Sequence, residues 1–129
     1  MHIPDGFIDL KTAAATGLFS ISGFIFGVIK VKQYFRARVV VLMGIFAALV
    51  FAAQMINFTI LGGTSGHLLG AALTTIILGP YAGGIIMAVV LLVQAFAFGD
   101  GGISALGANT FNMAISAKIF LKLNLNNWN

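Results

Sequence analysis

Long apolar runs, separated by short polar connections, most strongly constrain how this chain can fold. Five such runs are visible, at residues 12–29, 39–57, 65–78, 82–98 and 103–121. Of the 129 residues, 60% are hydrophobic and only 8% are charged, whereas a soluble domain carries about 25% charged residues. Because so few charges cannot cover a water-facing surface, the sequence predicts an all-α, polytopic membrane helix bundle. We expect about five transmembrane helices in a single domain over residues 1–129.

The basic residues predict how the bundle is oriented in the membrane. Four of the seven lysines and arginines lie in the connection between the first two runs: Lys30, Lys32, Arg36 and Arg38. Cytoplasmic loops are enriched in such residues, so this connection should face the cytoplasm and the amino terminus should face the outside. These loops explain the net charge of +4 better than a nucleic-acid-binding stripe does. We expect a multi-pass protein of the inner or plasma membrane.

The first two residues, Met1 and His2, are candidate metal ligands. The α-amine, the backbone nitrogen of His2 and its ring Nδ1 can close two fused chelate rings around one ion. A fourth ligand must come from elsewhere, and the chain contains no cysteine and only one other histidine, His67. Imidazole and amine nitrogens are therefore the ligands that remain. The alternative is that His2 lies on a frayed terminus without a function.

The second candidate ligand, His67, lies in the glycine-rich segment 61–70. We expect a short third helix from about Ser65, with Thr64 and Ser65 able to cap it and His67 in its first turn. Residues 65–78 would reach only about 21 Å, against a hydrocarbon core of about 30 Å. The outer end of this helix should then lie below the membrane surface, with His67 at the floor of an outward-facing pocket. An ionisable group at that depth indicates function, although a histidine hydrogen-bonded for packing is the alternative.

Amide side chains occur at the same predicted depth, in the outer halves of their runs. They are Gln54, Gln94, Asn109 and Asn112. Amides within membranes often form hydrogen bonds between helices and nothing more. Around a metal they can also orient imidazole ligands, and Thr64 and Ser65 are further candidates for that role. Both interpretations stay open at this point.

No motif in the sequence indicates an enzyme. The glycine-rich residues 99–102 lack the following Lys-Ser/Thr of a phosphate-binding loop, so we expect no ATP hydrolysis by this chain. The apolar runs contain no nucleophile–base or carboxylate pair. The amino terminus lacks the basic region of a signal peptide. Its Pro4-Asp5-Gly6 is instead a turn signature that would fold the terminus back.

Four motifs in order along the chain carry a family resemblance: MHIPDGF, GGTSGHLLGAAL, LGPYAG and DGGISALGANTFNMA. From Met1 to about Ala117, the sequence resembles the substrate-binding membrane component, of the CbiM/NikM type, of cobalt/nickel energy-coupling-factor transporters. The resemblance implies that Ni²⁺ or Co²⁺ is bound as the transported substrate. It also implies the ligands: the Met1 amine, the His2 backbone and ring nitrogens, and the His67 ring. A planar set of four nitrogens slightly favours nickel.

The same resemblance implies partners and a function. The partners are a transmembrane coupling subunit, two ATPase subunits and often a small accessory membrane subunit. The family usually continues with further membrane helices, so we expect a chain that is short at its carboxyl end. The expected function is the substrate-specific component of ATP-driven nickel or cobalt uptake, with an outward-facing site. A passive small-solute permease and a non-transporting structural fragment remain as alternatives.

Overall fold

The computed structural model describes residues 2–33, 36–56, 58–60, 64–66, 68 and 70–116. Met1 and His67, two of the predicted ligands, lie outside the described residues. The helices are α1 (Leu10–Lys32), α2 (Ala37–Met55), α3 (Gly70–Leu78), α4 (Pro80–Phe98) and α5 (Leu106–Thr110), which continues as a π-helix over Phe111–Ser116. Two short strands, β1 (Phe58–Ile60) and β2 (Thr64–Gly66), form an antiparallel pair. The predicted helical membrane bundle is confirmed, with this small hairpin added.

Three helices in the described part of the chain are long and apolar enough to cross a membrane: α1 with 23 residues, and α2 and α4 with 19 each. At 1.5 Å per residue they reach about 35 Å and about 29 Å, close to the thickness of a hydrocarbon core. The nine residues of α3 reach only about 14 Å. The prediction of about five helices is thus confirmed as five α-helical elements, of which α3 is even shorter than expected.

Helix α4 lies at the centre of the bundle and packs against α1, α2, α3 and α5. Half of the residues in the most apolar 18-residue stretch of α4 are buried, whereas only 11% are buried in the corresponding stretches of α1 and α2. The core forms around the middle of α4, where Ile86, Met87 and Val90 meet Val50 of α2 and Ala71 of α3. The outer helices leave most of their apolar surface exposed, as expected of helices that face lipid.

The third run differs from the prediction. Residues Thr64–Gly66 do not begin a helix but form β2, in which Phe58 pairs with Gly66 and Ile60 with Thr64. The prediction that Thr64 or Ser65 caps the third helix is therefore wrong. Their backbone groups instead form the hydrogen bonds of the strand pair. Threonine, serine and glycine are poor helix formers, so the segment has little tendency to be helical. Helix α3 begins only at Gly70.

Two other helix starts differ by a few residues. The fourth apolar run was expected to begin at residue 82, but α4 begins at Pro80, where proline has no hydrogen bond to lose. The turn is made by Gly79 with a φ of 85°. The last described helix begins at Leu106 rather than Ile103, because Ser104 binds the amino-terminal segment instead.

A close crossing of α1 and α5 brings the start of α5 beside the amino terminus. A Cβ at Gly107 would lie 2.6 Å from the Cα of Gly17, so only glycine permits this approach. The Ser20 hydroxyl donates to the Gly107 carbonyl oxygen at 2.7 Å across the same crossing. Helix α1 itself begins after Asp9, whose carboxylate accepts from the Thr12 backbone N–H at 3.3 Å. These contacts fix the two elements between which the terminus lies.

Candidate metal-binding site

The amino-terminal segment, residues 2–5, is docked on the loop between α4 and α5. The Ile3 backbone N–H donates to Asn109 Oδ1 at 2.8 Å, and Asn109 Nδ2 donates to the Ile3 carbonyl oxygen at 3.1 Å. That carbonyl oxygen also accepts from the Gly102 backbone N–H at 2.9 Å. Asn109 is only 4% exposed. The backbone beside His2 is therefore held in place, which argues against a frayed terminus.

The His2 side chain is directed into the bundle rather than into solvent. Its exposed fraction is 2%, and Nδ1 lies 3.0 Å from Asp100 Oδ1. A carboxylate oxygen can only accept a hydrogen bond, so Nδ1 is the donor in this contact. The Asp100 side chain keeps 26% of its surface exposed. The imidazole is thus buried and oriented by a carboxylate that is itself partly exposed to solvent.

Two further contacts complete the docking. The hydroxyl and the backbone N–H of Ser104 donate to Asp5 Oδ1 at 2.6 and 2.7 Å. They lower the pKa of Asp5 below its ordinary value of 3.8, the hydroxyl having the larger effect. A Cβ at Gly102 would collide with the backbone of Asp5. We call Asp100, Gly102, Ser104 and Asn109 the amino-terminal clamp.

A second polar group links three parts of the bundle. Gln94 Nε2 of α4 donates to Gln54 Oε1 of α2 at 3.1 Å, and Gln54 Nε2 donates to the Leu68 carbonyl oxygen at 3.3 Å. Both glutamines are fully buried. Because the Leu68 carbonyl can only accept, it fixes the direction of both amides. The two glutamines thus form a hydrogen bond between helices, and Gln54 also binds the carbonyl of Leu68, the residue that follows His67 in the sequence. Whether they also orient a metal ligand stays a prediction.

The two groups meet at the carboxyl-terminal end of α4. The Asp100 backbone N–H donates to the Gln94 carbonyl oxygen at 3.0 Å, so the clamp loop is anchored to the turn of α4 that carries Gln94. The remaining candidates differ in position. Asn112 is exposed in the π-helix, and Thr64 and Ser65 lie in β2. Within the described ranges no three histidine, cysteine, aspartate or glutamate side chains cluster around a common point. His2 is the described member of the predicted ligand set.

Comparison with known proteins places this architecture in a family. The family model described as CbiM, cobalt uptake substrate-specific transmembrane region, matches residues 2–126. The chain belongs to the CbiM family. This confirms the predicted resemblance and the membrane location, and the family consists of membrane components of metal transport rather than of enzymes.

Individual relatives of the CbiM family support the assignment. A protein named NikMN from Archaeoglobus fulgidus is 50% identical over 115 residues, 89% of this chain and 38% of that protein. The fused nickel transport protein NikMN of Rhodobacter capsulatus is 38% identical over 115 residues, 89% of this chain and 33% of that protein. The cobalt transport protein CbiM of Lachnoclostridium phytofermentans is 32% identical over 118 residues, 90% of this chain and 47% of that protein. The chain therefore spans less than half the length of these three relatives.

A solved structure has the same arrangement of helices. The crystal structure of a truncated transition-metal transporter superimposes with a TM-score of 0.86 at 40% sequence identity. The match covers 98% of this chain and 62% of that one. The described part of the chain thus shares its fold with that transporter.

Sequence reasoning identified His2 and Asn109 but missed their partners. Asp100 and Gly102 were interpreted only as a glycine-rich turn, and Ser104 was placed inside a helix. The available signal was Asp100 followed by two glycines. Glycines allow another segment's backbone to approach closely, here beside a charged side chain. The contact between Ile3 and Asn109 joins residues 106 positions apart, which no local pattern indicates.

Proposed function

We propose that this chain is the substrate-specific membrane component of an ATP-driven uptake transporter for nickel or cobalt. Membership of the CbiM family supports the transport role. The observation that carries the site assignment is the docked amino terminus, with the His2 imidazole 2% exposed. A terminus without a function is expected to be exposed. Here the imidazole is buried, and the backbone of the next residue is hydrogen-bonded to the buried Asn109.

The proposed ligands are the Met1 amine, the His2 backbone nitrogen and ring Nδ1, and the His67 ring. Four nitrogens, three of them in one fused chelate, suit a square-planar ion and favour Ni(II) over Co(II). The hydrogen bonds at Ile3 hold the chain immediately after the chelate, and Gln54 holds the carbonyl of Leu68, immediately after His67. These contacts hold the backbone of Ile3 and of Leu68 before the ion arrives, and such preorganisation of neighbouring residues reduces the cost of binding.

The site faces outward in this proposal, and the energy comes from other subunits. The positive-inside rule places the amino terminus outside, and the sequence carries no phosphate-binding loop. A transmembrane coupling subunit and two ATPase subunits would supply ATP hydrolysis, and a small accessory membrane subunit would complete the complex. Transport that depends on the ATPase subunits separates this function from a passive permease.

The decisive experiment changes only the terminus. The protein is made with an amino-terminal fusion that a protease removes directly before Met1, and Ni(II) binding is measured by calorimetry before and after cleavage. We expect binding only after cleavage, because any preceding residue converts the amine into an amide. The matched control carries the same fusion after Asn129 and should bind whether cleaved or not.

The optical spectrum tests the ligand set. A yellow, diamagnetic Ni(II) complex is expected for four planar nitrogens. Equal affinity in the amino-terminally extended protein, or a paramagnetic octahedral spectrum, would show that the ligand set is wrong.

A further inference from the structure

One nitrogen of the site is required for two different contacts. His2 Nδ1 donates to Asp100 Oδ1 at 3.0 Å, and the chelate of the proposed function uses the lone pair of the same atom. A ring nitrogen that carries a proton has no lone pair to give to a metal. The contact with Asp100 and coordination of the ion therefore exclude one another.

We propose that Asp100 is an exchange partner for the metal at His2 Nδ1. It holds the imidazole while no ion is bound, and it gives up the ring when the ion coordinates. The inference rests on the proposed function, since it concerns the same site. In the exchange, the proton on Nδ1 passes to water, and the imidazole that binds the ion carries a proton on Nε2. The Nδ1 lone pair then forms the bond to the ion, and water replaces the ring at the carboxylate.

The surroundings of Asp100 fit such an exchange. Its backbone is anchored, because its N–H donates to the Gln94 carbonyl oxygen at 3.0 Å. Its side chain is 26% exposed, so water can reach the carboxylate once the ring leaves. The residues on both sides are glycines with positive φ, 64° at Gly99 and 106° at Gly101. The carboxylate is thus fixed at its root and accessible at its end.

The backbone that carries the ring, by contrast, has little freedom. Hydrogen bonds to Asn109 hold the backbone of the next residue, Ile3, from both sides. A Cβ at Gly101 would lie 3.0 Å from His2 Cβ, so the loop backbone is already in contact with the histidine. The exchange therefore requires rotation of the imidazole and a small shift of one carboxylate, and the chain need not move.

This arrangement sets the apparent affinity. For an ion that binds only the released ring, the apparent dissociation constant is the intrinsic one divided by the fraction of protein in which Asp100 does not hold Nδ1. A hydrogen bond to a charged group changes an equilibrium by about one to two powers of ten. Asp100 would weaken binding of the ion by about that factor. The weaker binding would favour release of the ion in the later step of transport.

The test measures the sign of the change in Ni(II) affinity at one fixed pH, with the native terminus exposed. Asp100→Ala should bind about tenfold more tightly than wild type. Asp100→Asn should fall between them, because a neutral amide oxygen accepts a weaker hydrogen bond. The control is Asp9→Asn, which removes the same charge at the start of α1 and keeps a good helix cap there; its affinity should not change.

Equal or weaker binding by Asp100→Ala, with wild-type binding intact, would overturn the exchange and leave the proposed function standing. No binding by wild type would overturn both. A second measurement needs no variant: nitrogen NMR of wild-type protein labelled in the imidazole. We expect a proton on Nδ1 without metal and on Nε2 with Ni(II). The same ring nitrogen protonated in both states would also overturn the exchange.

Discussion

Asn109 does for Ile3 what a neighbouring strand does in a β-sheet. Its amide oxygen accepts from the Ile3 N–H, and its amide nitrogen donates to the carbonyl of the same residue. Asparagine can do both because it carries an acceptor and a donor on one planar group. Neither a charged nor an apolar residue of the same size could replace it.

Replacing Asn109 with alanine should release the terminus. Two hydrogen bonds are lost at a buried position, so the free energy of unfolding should fall by about 1–3 kcal/mol, and Ni(II) affinity should fall about tenfold. Thermal unfolding in detergent and calorimetry measure the two effects. Asn112→Ala is the matched control, since this exposed asparagine lies one turn further on. Equal effects in both variants would contradict the role assigned to Asn109.

The contact between Asp5 and Ser104 should be visible in a titration. The Ser104 hydroxyl holds the pKa of Asp5 below 3.8. A carboxyl with a lowered pKa stabilises the fold above its unfolded pKa, and this stabilisation is lost as the pH falls through the lowered value. Ser104→Ala should raise the pKa of Asp5 towards 3.8, measured by carbon NMR of the carboxyl. An unchanged titration curve would show that the contact is absent in solution.

At the level of elements, the long helices were predictable and the short elements were not. Helices α1, α2 and α4 follow from runs of apolar residues that only a membrane can accommodate. The hairpin was missed because strands as short as Phe58–Ile60 and Thr64–Gly66 are stabilised by their pairing. The start of α5 was missed for a similar reason, since Ser104 is bound by Asp5, far away in sequence. Local patterns cannot indicate partners of this kind.

The crossing of α1 and α5 gives a prediction at this scale. Gly107→Ala should push the two helices apart, because a Cβ there would meet the backbone of Gly17. Overpacking of this kind costs about 1–3 kcal/mol, so the unfolding temperature in detergent should fall. Gly44→Ala on α2 is the control, since its Cβ would enter open space and alanine favours helix by about 1 kcal/mol. A stable Gly107→Ala variant would show that the crossing is wider than described.

For the whole molecule, the distribution of burial separates a centre from a periphery. Helix α4 is surrounded, whereas α1 and α2 present apolar residues outward. The solved relative has the same arrangement and extends beyond this match. The outward faces of α1 and α2 are thus suited to lipid or to further helices of a complete transporter.

Orientation in the membrane remains a prediction, and it can be tested directly. Single cysteines at Phe7 and Gln33, both exposed, lie at opposite ends of α1. An impermeant thiol reagent added to intact cells should label the cysteine at position 7 and leave that at position 33 unlabelled. The reverse pattern would place the amino terminus in the cytoplasm and contradict an outward-facing site.

The contact between Ile3 and Asn109 has a consequence for how the protein is made. The first residues to leave the ribosome bind a residue synthesised 106 positions later. At about 5–20 residues per second, the terminus waits roughly 5–20 s for its partner. During biogenesis α1, α2 and α4 can all be inserted while the amino terminus is still undocked. A nascent chain arrested before Asn109 should therefore be inserted in the membrane through α1, α2 and α4 while its amino-terminal segment is still undocked. The ability to bind an ion would arise last.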